Sequence, residues 1–571
     1  MHVLTTTQAV RRTFLTAAAC LLATFQAHQA LAAAPGVTGT GTAGTFNLVA
    51  QTGRLNQPDG AALYSWGYGC ASAATLVPAG MPGANCPTMQ VPGPTLVVTE
   101  GQSVTVTLTN SLPAAAGNTS ILFPGFQVTA TCGTTGAPDA TAADCPAGLL
   151  TTEVVPGKTV SYTFKATGPG TRAYYSGTQG DLQVEMGLYG VIIVLPATAN
   201  VPSACTTGLR AANRLVETYT KDPATGATEQ DFRLSPAAYD NARACYDREY
   251  LFQFAEVDPN IHKQAEAQLL DPTRIANCAN GGAGSMGCSL EVQTQPYIPA
   301  YFLINGRSMP DDMDPNYAPQ YPHQPYNGNP HMHPGELVLL RIVGQGHWQH
   351  PFHEHANHVR ILARDGNLIT DSTGTNLAGP LFFTTTTTPG LAMDGLFYYT
   401  GRGLNWDMYG HNPNSADTNG TLPCYPDSQG YNTGYDTSGN YGAGNLVHPE
   451  VQKAINYYEW CQDHYKPLEV APQGDVAGGG PITLPDPNIL TNGAWYSGSP
   501  YLGPDATTRA TGPNSVYQPA NTQANPANER AYAFMWHSHN EREITTNNVF
   551  PGGMFMMMLV DSREFVINEA N

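Results

Sequence analysis

Charged residues are scarce in this chain, where Asp, Glu, Lys and Arg together make up 12% of 571 residues, about half the share of an average soluble protein. Basic residues are the rarer kind, with 25 Lys and Arg against 44 Asp and Glu, which gives a formal net charge of −19. Helical bundles and coiled coils need many charges on their solvent-facing positions, and nucleic-acid binding needs a basic surface. The composition therefore excludes both a coiled-coil architecture and a nucleic-acid partner.

Long apolar runs are missing as well. After the first 32 residues, no stretch reaches the roughly 18 consecutive apolar residues that span a membrane as a helix, so we expect no membrane span. Residues that break helices and form turns are plentiful, with 59 Gly and 46 Pro,. These features predict a loop-rich, all-β protein with more than one domain.

The first 32 residues have the order of an export signal. Arg11 and Arg12 precede an apolar run from Phe14 to Phe25, and residues 30–32 (Ala-Leu-Ala) provide a small-x-small cleavage site,. The paired arginines resemble a twin-arginine signal, which exports folded proteins, and an ordinary secretory signal is the alternative. We expect residues 1–32 to be removed and the mature protein to be periplasmic or extracellular.

Cysteines are few but even in number once Cys20 of the leader is set aside. None of the ten lies in a CxxC arrangement, which argues against a thiolate metal site. Their spacing around local loops is typical of disulfides formed in an oxidising compartment. We predict sequential pairs, which are Cys70–Cys86, Cys132–Cys145, Cys205–Cys245, Cys278–Cys288 and Cys424–Cys461.

Short strands occur in two similar blocks. Residues 103–109 alternate polar and apolar side chains, as a half-buried strand does, and residues 190–195 form a fully apolar strand,. A turn followed by a strand recurs at residues 334–343. We predict two β-sandwich domains, at residues 33–200 and 245–571, joined by a linker at 201–244. The second contains a loop-rich insertion at about 410–530.

Histidines concentrate in two short segments of the second block. His-x-His on a strand places both imidazoles on one face, because side chains alternate with a period of two. Two such pairs on adjacent strands can present four imidazoles to one point, a ligand set for copper, zinc, iron or nickel. The candidate ligands are His350, His353, His355, His537 and His539, with His358 as a weaker candidate.

Other histidines carry less information. His331 and His333 form a further His-x-His pair and are the next place to look for ligands. His262, His411, His448 and His464 stand alone, and we interpret them as structural or solvated.

Together these motifs resemble the multicopper oxidase family, which includes the laccases. The segment 350–355 (His-Pro-Phe-His-Glu-His) is similar to the family's His-Pro-x-His-Leu-His motif, whose histidines bind a type 1, a type 2 and a type 3 copper in turn. His537-Ser538-His539 is similar to its His-Cys-His motif, and residues 92–95 and 187–194 are similar to strings in its first domain. The resemblance implies cupredoxin-like β-sandwich domains and copper as the cofactor.

The sequence also departs from the family. The first-domain motifs His-Trp-His-Gly and Tyr-His-Ser-His stand here as residues 122–125 (Leu-Phe-Pro-Gly) and 174–177 (Tyr-Tyr-Ser-Gly). Ser538 stands at the type 1 cysteine, Glu543 at the matching histidine and Met554 near the axial ligand. A blue copper site needs a cysteine and two histidines, so we expect none.

The surviving ligands predict a reduced copper complement. Four imidazoles, from His353, His355, His537 and His539, suit one dominant metal ion, with His350 as a further ligand or a hydrogen-bonding partner. Two functions follow. One is an exported copper-dependent oxidoreductase that acts on a small molecule such as a phenol, or on a metal ion. The other is a non-enzymatic copper-binding or structural exported protein, and zinc in place of copper is a lesser alternative.

Overall fold

The computed structural model describes residues 34–41, 44–78, 85–133, 141, 143–206, 232–333, 336–399, 531–561 and 567. The predicted leader, the predicted insertion and the Cys424–Cys461 pair lie outside these residues, as does most of the predicted linker. Strands dominate the described residues. The expectation of an all-β protein is confirmed, whereas the domain limits at residues 200 and 245 stay a prediction.

In the described residues, ten strands make up the first sandwich. They are β1 (Gly36–Thr38), β2 (Thr45–Asn56), β3 (Ala62–Cys70), β4 (Thr75–Val77), β5 (Leu96–Thr99), β6 (Ser103–Asn110), β7 (Thr129–Cys132), β8 (Thr159–Lys165), β9 (Gly170–Tyr175) and β10 (Tyr189–Leu195). They form two five-stranded sheets, of order β4-β1-β5-β10-β9 and β3-β2-β6-β8-β7. The inner faces of both sheets supply one continuous apolar core.

Strand β6 illustrates why these segments fold as they do. Its apolar positions, Val104, Val106 and Leu108, are buried in the core between the sheets. Its threonines lie on the other face, where they form hydrogen bonds with hydroxyl side chains of β8 at 3.1–3.2 Å. The alternation in the sequence therefore specifies both the buried face and the cross-strand pairs.

Twelve strands of the part that the structure describes make up the second sandwich. They are β11 (Arg248–Val257), β12 (Tyr301–Ile304), β13 (His331–Met332), β14 (Leu337–Gly344), β15 (His350–Glu354), β16 (Val359–Arg364), β17 (Asn367–Leu368), β18 (Leu381–Phe382), β19 (Thr384–Thr387), β20 (Ala392–Tyr398), β21 (Ala531–Ser538) and β22 (Phe555–Asp561). One sheet has the order β12-β11-β14-β20-β16-β17, with β18 paired to β16, and the other has the order β13-β22-β21-β15-β19.

Aromatic side chains fill the core of the second sandwich. The rings of Phe352 and Trp536 lie 6.1 Å apart, and the ring of Phe252 lies 6.0 Å from Phe352. Phe352 belongs to β15 and Trp536 to β21, so each of the two strands that carry the His-x-His pairs is anchored by the residue directly before its first histidine. The histidines themselves face away from this core.

A buried polar seam joins the two sandwiches. Thr171 on β9 donates a hydrogen bond to Asp394 on β20 at 2.6 Å. Arg341 on β14 donates to Thr171 at 3.0 Å and pairs with Glu249 at 2.8 Å. Buried charges of this kind are stable when each is matched by an opposite charge or a hydrogen bond.

Four predicted disulfides are present, Cys70–Cys86, Cys132–Cys145, Cys205–Cys245 and Cys278–Cys288.

Helices are short and lie outside the sheets. None of the helices in the described ranges is long and apolar enough to cross a membrane. The α-helices are α1 (Gly180–Gln183), α2 (Ser203–Thr206), α3 (Pro259–Leu269) and α4 (Pro272–Gly281), and the 3-10 helices span Ala114–Ala116, Thr198–Asn200 and Asp311–Met313.

Candidate metal centre

Two adjacent strands bring the His-x-His pairs together. Strands β15 and β21 are antiparallel, and their register places His353 opposite His537. Because side chains alternate across a sheet, the histidines at 353, 355, 537 and 539 share the face opposite to the aromatic core. We call these four side chains the imidazole quartet.

The four rings of the quartet are close neighbours. Ring centroids lie 4.9 Å apart for His353 and His355, 4.9 Å for His353 and His539, and 5.1 Å for His355 and His537. The nearest nitrogens are the Nε2 atoms of His355 and His537, which are 3.1 Å apart. Two candidate ligand atoms from different strands therefore lie side by side.

Backbone contacts fix His355, which lies just past the end of β15. Its amide donates a hydrogen bond to the carbonyl of Met535 at 3.3 Å, and its own carbonyl accepts one from Nε1 of Trp536 at 3.2 Å. The next residue, Ala356, has a φ of 80°, a left-handed conformation that turns the chain away from the strand,. The buried indole of Trp536 thus fixes the backbone of His355 from the side of the aromatic core.

Hydrogen bonds set which ring nitrogens are available. Nδ1 of His537 donates to the carbonyl of Ser538 at 2.7 Å, so its Nε2 carries the lone pair,. Nδ1 of His353 is engaged with Oγ1 of Thr384 at 2.7 Å. In His355, Nδ1 is buried without a hydrogen-bond partner in the described part of the chain. Anchoring one ring nitrogen to orient the other is the usual arrangement of metal-binding histidines.

Burial favours the neutral form of three members of the quartet, His353, His355 and His537. Desolvation and the neighbouring imidazoles lower the pKa of His353 to about 4 and that of His355 to about 3. Desolvation also lowers the pKa of His537. These three rings are therefore neutral at physiological pH, and neutral imidazole is the form that binds metals.

The donor set fits a histidine-bound metal ion. Two nitrogens that bind one ion at about 2.0 Å are separated by about 2.8 Å at a right angle and about 3.3 Å at a tetrahedral angle. The 3.1 Å between His355 and His537 falls within that range. Across the described ranges, no three His, Cys, Asp or Glu side chains are already arranged to hold a metal. The quartet thus offers two nitrogens at ligand spacing and two rings beside them.

His350 lies apart from the quartet. Its Nδ1 is 2.9 Å from Oε2 of Glu543, and its Nε2 is 2.9 Å from Oε2 of Glu256. Burial lowers the pKa of His350, but the two carboxylates outweigh it and raise the pKa to about 9. The ring is therefore a cation with both N–H groups donated. We leave His350 out of the proposed ligand set for this reason, although the sequence motif suggested it.

The three positions of the family's type 1 site meet around one carboxylate. Oε2 of Glu543 accepts hydrogen bonds from Nδ1 of His350 and, at 2.5 Å, from Oγ of Ser538. Its Oε1 accepts a hydrogen bond from Asn540 at 2.8 Å. The side chain of Met554 is buried in the aromatic core, and its backbone carbonyl accepts the Ser538 amide at 2.9 Å. Hydrogen bonds therefore satisfy the side chains at the three ligand positions.

This network extends to residues that the sequence analysis did not identify. Oε1 of Glu256 accepts the amides of His347 and Trp348 at 2.7 and 2.8 Å and lies 3.1 Å from the hydroxyl of Tyr297. That hydroxyl also donates to Glu185, in the first sandwich, at 2.7 Å. The one signal in the sequence for Glu256 was its position, as an acidic residue within the otherwise apolar end of β11.

The weaker candidates lie at the edge of the quartet or beyond it. The ring of His358 is 5.1 Å from that of Phe383, which in turn is 6.1 Å from His353. His331 is on β13, an edge strand of the same sheet, and the backbone amide of His333 donates to Glu336 at 2.8 Å.

In the first sandwich, the positions of the missing motif histidines are used for packing. The amide of Leu122 donates to the carbonyl of Tyr175 at 2.7 Å. The side chain of Leu122 covers Gly177 so closely that a Cβ there would lie 2.8 Å from it. An apolar contact thus occupies this part of the domain.

Comparison with known proteins agrees with the family resemblance of the first-domain segments at residues 92–95 and 187–194. Residues 88–199 match the family profile described as multicopper oxidase. The matched segment precedes all four members of the quartet, so the match does not include the candidate metal site itself.

One curated relative and several solved structures resemble the chain. Laccase-3 of Botryotinia fuckeliana is 38% identical over 109 residues, which are 19% of this chain and 21% of the laccase. The blue copper oxidase of Nitrosomonas europaea is 14% identical, with 90% of this chain and 85% of that chain covered and a TM-score of 0.40. The laccase of Botrytis aclada is 18% identical, with 63% and 48% covered and a TM-score of 0.33. Multicopper oxidases are copper proteins, and copper is the cofactor that this relationship supports.

Proposed function

We propose that this chain is an exported copper protein with a reduced copper complement, which acts as an oxidoreductase on a small molecule or a metal ion. The copper ion is held by His353, His355, His537 and His539. The observation that carries the proposal is the 3.1 Å approach of Nε2 of His355 to Nε2 of His537, because it places two neutral imidazole nitrogens from different strands at ligand spacing.

The chain's own residues prepare the site in three ways. The Ser538 carbonyl holds Nδ1 of His537 and leaves its Nε2 free to bind. Burial lowers the pKa of His353, His355 and His537, so at these three rings copper does not have to displace a proton from a charged imidazole,. Phe352 and Trp536 support both strands from the core side. A copper ion held there supplies one-electron chemistry by cycling between Cu(II) and Cu(I).

A non-enzymatic copper-binding protein is the second candidate. The hydrogen-bonded group of His350, Ser538 and Glu543 favours it, because the position at which the family's blue copper receives electrons holds an imidazole–carboxylate pair instead. In that case the quartet stores or carries copper without turnover. Oxidation of phenols or reduced metal ions distinguishes the two candidates, because only the oxidoreductase turns these substrates over.

The test is a comparison of copper content and oxidase turnover in protein from copper-supplemented cells. We expect copper in the wild type and its loss in His353→Ala/His539→Ala. A matched control, His411→Ala/His464→Ala, replaces two histidines outside the quartet and is expected to retain the metal. Turnover with phenols or reduced metal ions supports the oxidoreductase, and copper without turnover supports the second candidate. A wild type without copper contradicts both.

Export has its own test. The intact mass of the protein recovered from the periplasm or the medium should correspond to a chain starting near Ala33. Recovery of the full-length chain inside the cell, with Arg11 and Arg12 retained, contradicts the proposed localisation.

A further inference from the structure

One buried carboxylate ties together the two strands that carry the quartet. Glu543 accepts hydrogen bonds from His350 on β15 at 2.9 Å and from Ser538 on β21 at 2.5 Å. All three residues have an exposed fraction of 0%. His350 and Ser538 alternate with the ligand histidines along their strands, so the contacts lie on the opposite face of the sheet from the quartet.

We propose that Glu543 is a positioning residue, which sets the spacing of the imidazole quartet by holding β15 and β21 together through His350 and Ser538. The inference rests on the proposed metal site, because its purpose is to place those imidazoles. Ser538 lies directly between His537 and His539, so any shift of its side chain moves both. Hydrogen bonds to an ionised carboxylate are short and directional, which makes them suited to fixing strand spacing.

Glu543 is itself held in place by its backbone. Its amide donates to the carbonyl of Asn540 at 2.8 Å, and its carbonyl accepts the amide of Met554 at 2.8 Å. The side chain of Asn540 donates to Oε1 of Glu543 at 2.8 Å. The carboxylate is therefore a fixed point between the strands.

The same contacts extend to the first sandwich. His350 is held from its other side by Oε2 of Glu256 at 2.9 Å. The Tyr297 hydroxyl lies 3.1 Å from Glu256 and donates to Glu185 at 2.7 Å. The first sandwich, whose motif positions hold no histidine, thereby contributes to positioning through Glu185.

A purely structural role for Glu543 is the alternative, and the chain offers a matched control. Glu249 is another fully buried carboxylate of the second sandwich, paired with Arg341 at 2.8 Å. Its contacts are to β14 and to residues 234 and 246, and none of them is to β15 or β21. Loss of either carboxylate disrupts a buried ion pair, but only Glu543 connects the ligand strands.

The experiment measures copper affinity, by competition with a chelator, in the wild type, Glu543→Gln, Ser538→Ala and Glu249→Gln. Replacing a residue that orients a metal ligand weakens binding by about 10- to 100-fold, and we expect this for Glu543→Gln. Ser538→Ala removes one hydroxyl and keeps the His350–Glu543 pair, so this variant tests the proposal if Glu543→Gln does not fold. For Ser538→Ala we expect copper affinity to fall about tenfold. Glu249→Gln should lower thermal stability and leave copper affinity unchanged.

A second readout needs no metal. The imidazole nitrogen NMR signals of His355 and His537, which approach each other at 3.1 Å, should shift in Ser538→Ala and Glu543→Gln but not in Glu249→Gln. Unchanged affinity and unchanged signals in both variants overturn the positioning role and leave the proposed function standing. Signals that follow Glu543 in a protein that binds no copper support the positioning role and overturn the proposed function.

Discussion

His355 and His537 are separated by 182 positions in the chain, yet their Nε2 atoms lie 3.1 Å apart. The antiparallel register of β15 and β21 creates this approach. It depends on neutral rings, since two imidazolium ions at this distance would repel each other. The pH dependence of metal binding therefore reports on the burial of these two rings.

Copper binding should persist in mildly acidic solution. An ordinary histidine titrates near 6.5 and would lose its metal there. Burial and mutual repulsion lower the pKa of His353 to about 4 and that of His355 to about 3, so protons compete with copper only at lower pH. The measurement is copper affinity from neutral pH to about pH 4. A loss of affinity centred near the ordinary histidine pKa contradicts the desolvation of His353 and His355.

The His350 cation should make the fold sensitive to alkaline pH. Its pKa is raised from 6.5 to about 9, so the stabilisation is fully present below 6.5 and is lost as the pH rises through 9. The shift corresponds to about 3 kcal/mol in the free energy of unfolding. Urea unfolding between neutral pH and pH 10 checks this. His350→Gln should lack this component of the pH dependence, and an identical profile in both proteins contradicts it.

The type 1 position should accept a blue copper only after two substitutions. Wild-type protein should be colourless or pale with copper, because Ser538 offers no thiolate. Ser538→Cys alone should stay without intense thiolate-to-copper absorption, since Glu543 still binds His350. Ser538→Cys combined with Glu543→His supplies the cysteine and two histidines of a blue site around Nδ1 of His350, and we expect a blue protein. A blue band in the wild type contradicts the assignment of these positions.

Much of the fold follows from local patterns. The alternation in β6 predicts its buried face, and the sequential pairing of an even number of cysteines predicts the four disulfides present in the described residues. The quartet is predictable for the same reason, because His-x-His fixes both imidazoles on one face of a strand. That the two pairs lie on adjacent strands follows from the family resemblance, and the register β15–β21 agrees with it.

The carboxylates around His350 could not be predicted from the sequence. Glu256, Glu543 and Glu185 come from three distant parts of the chain, and no spacing in the sequence connects them. The sequence motif predicts His350 as a metal ligand because the motif contains only the histidines that are neighbours in the sequence. The structure adds Glu256 and Glu543 at 2.9 Å, and these contacts make the ring a cation. Partners brought together by tertiary packing are not visible in a linear pattern.

The most direct test of the account is the position of copper in crystals of the copper-loaded protein, located by anomalous scattering at the copper absorption edge. We predict one dominant peak within bonding distance of Nε2 of His355 and Nε2 of His537, with His353 and His539 beside it, and no peak between His350 and Ser538. A peak at His331 and His333, or at His350 and Glu543, with none at the quartet, would contradict the central claim.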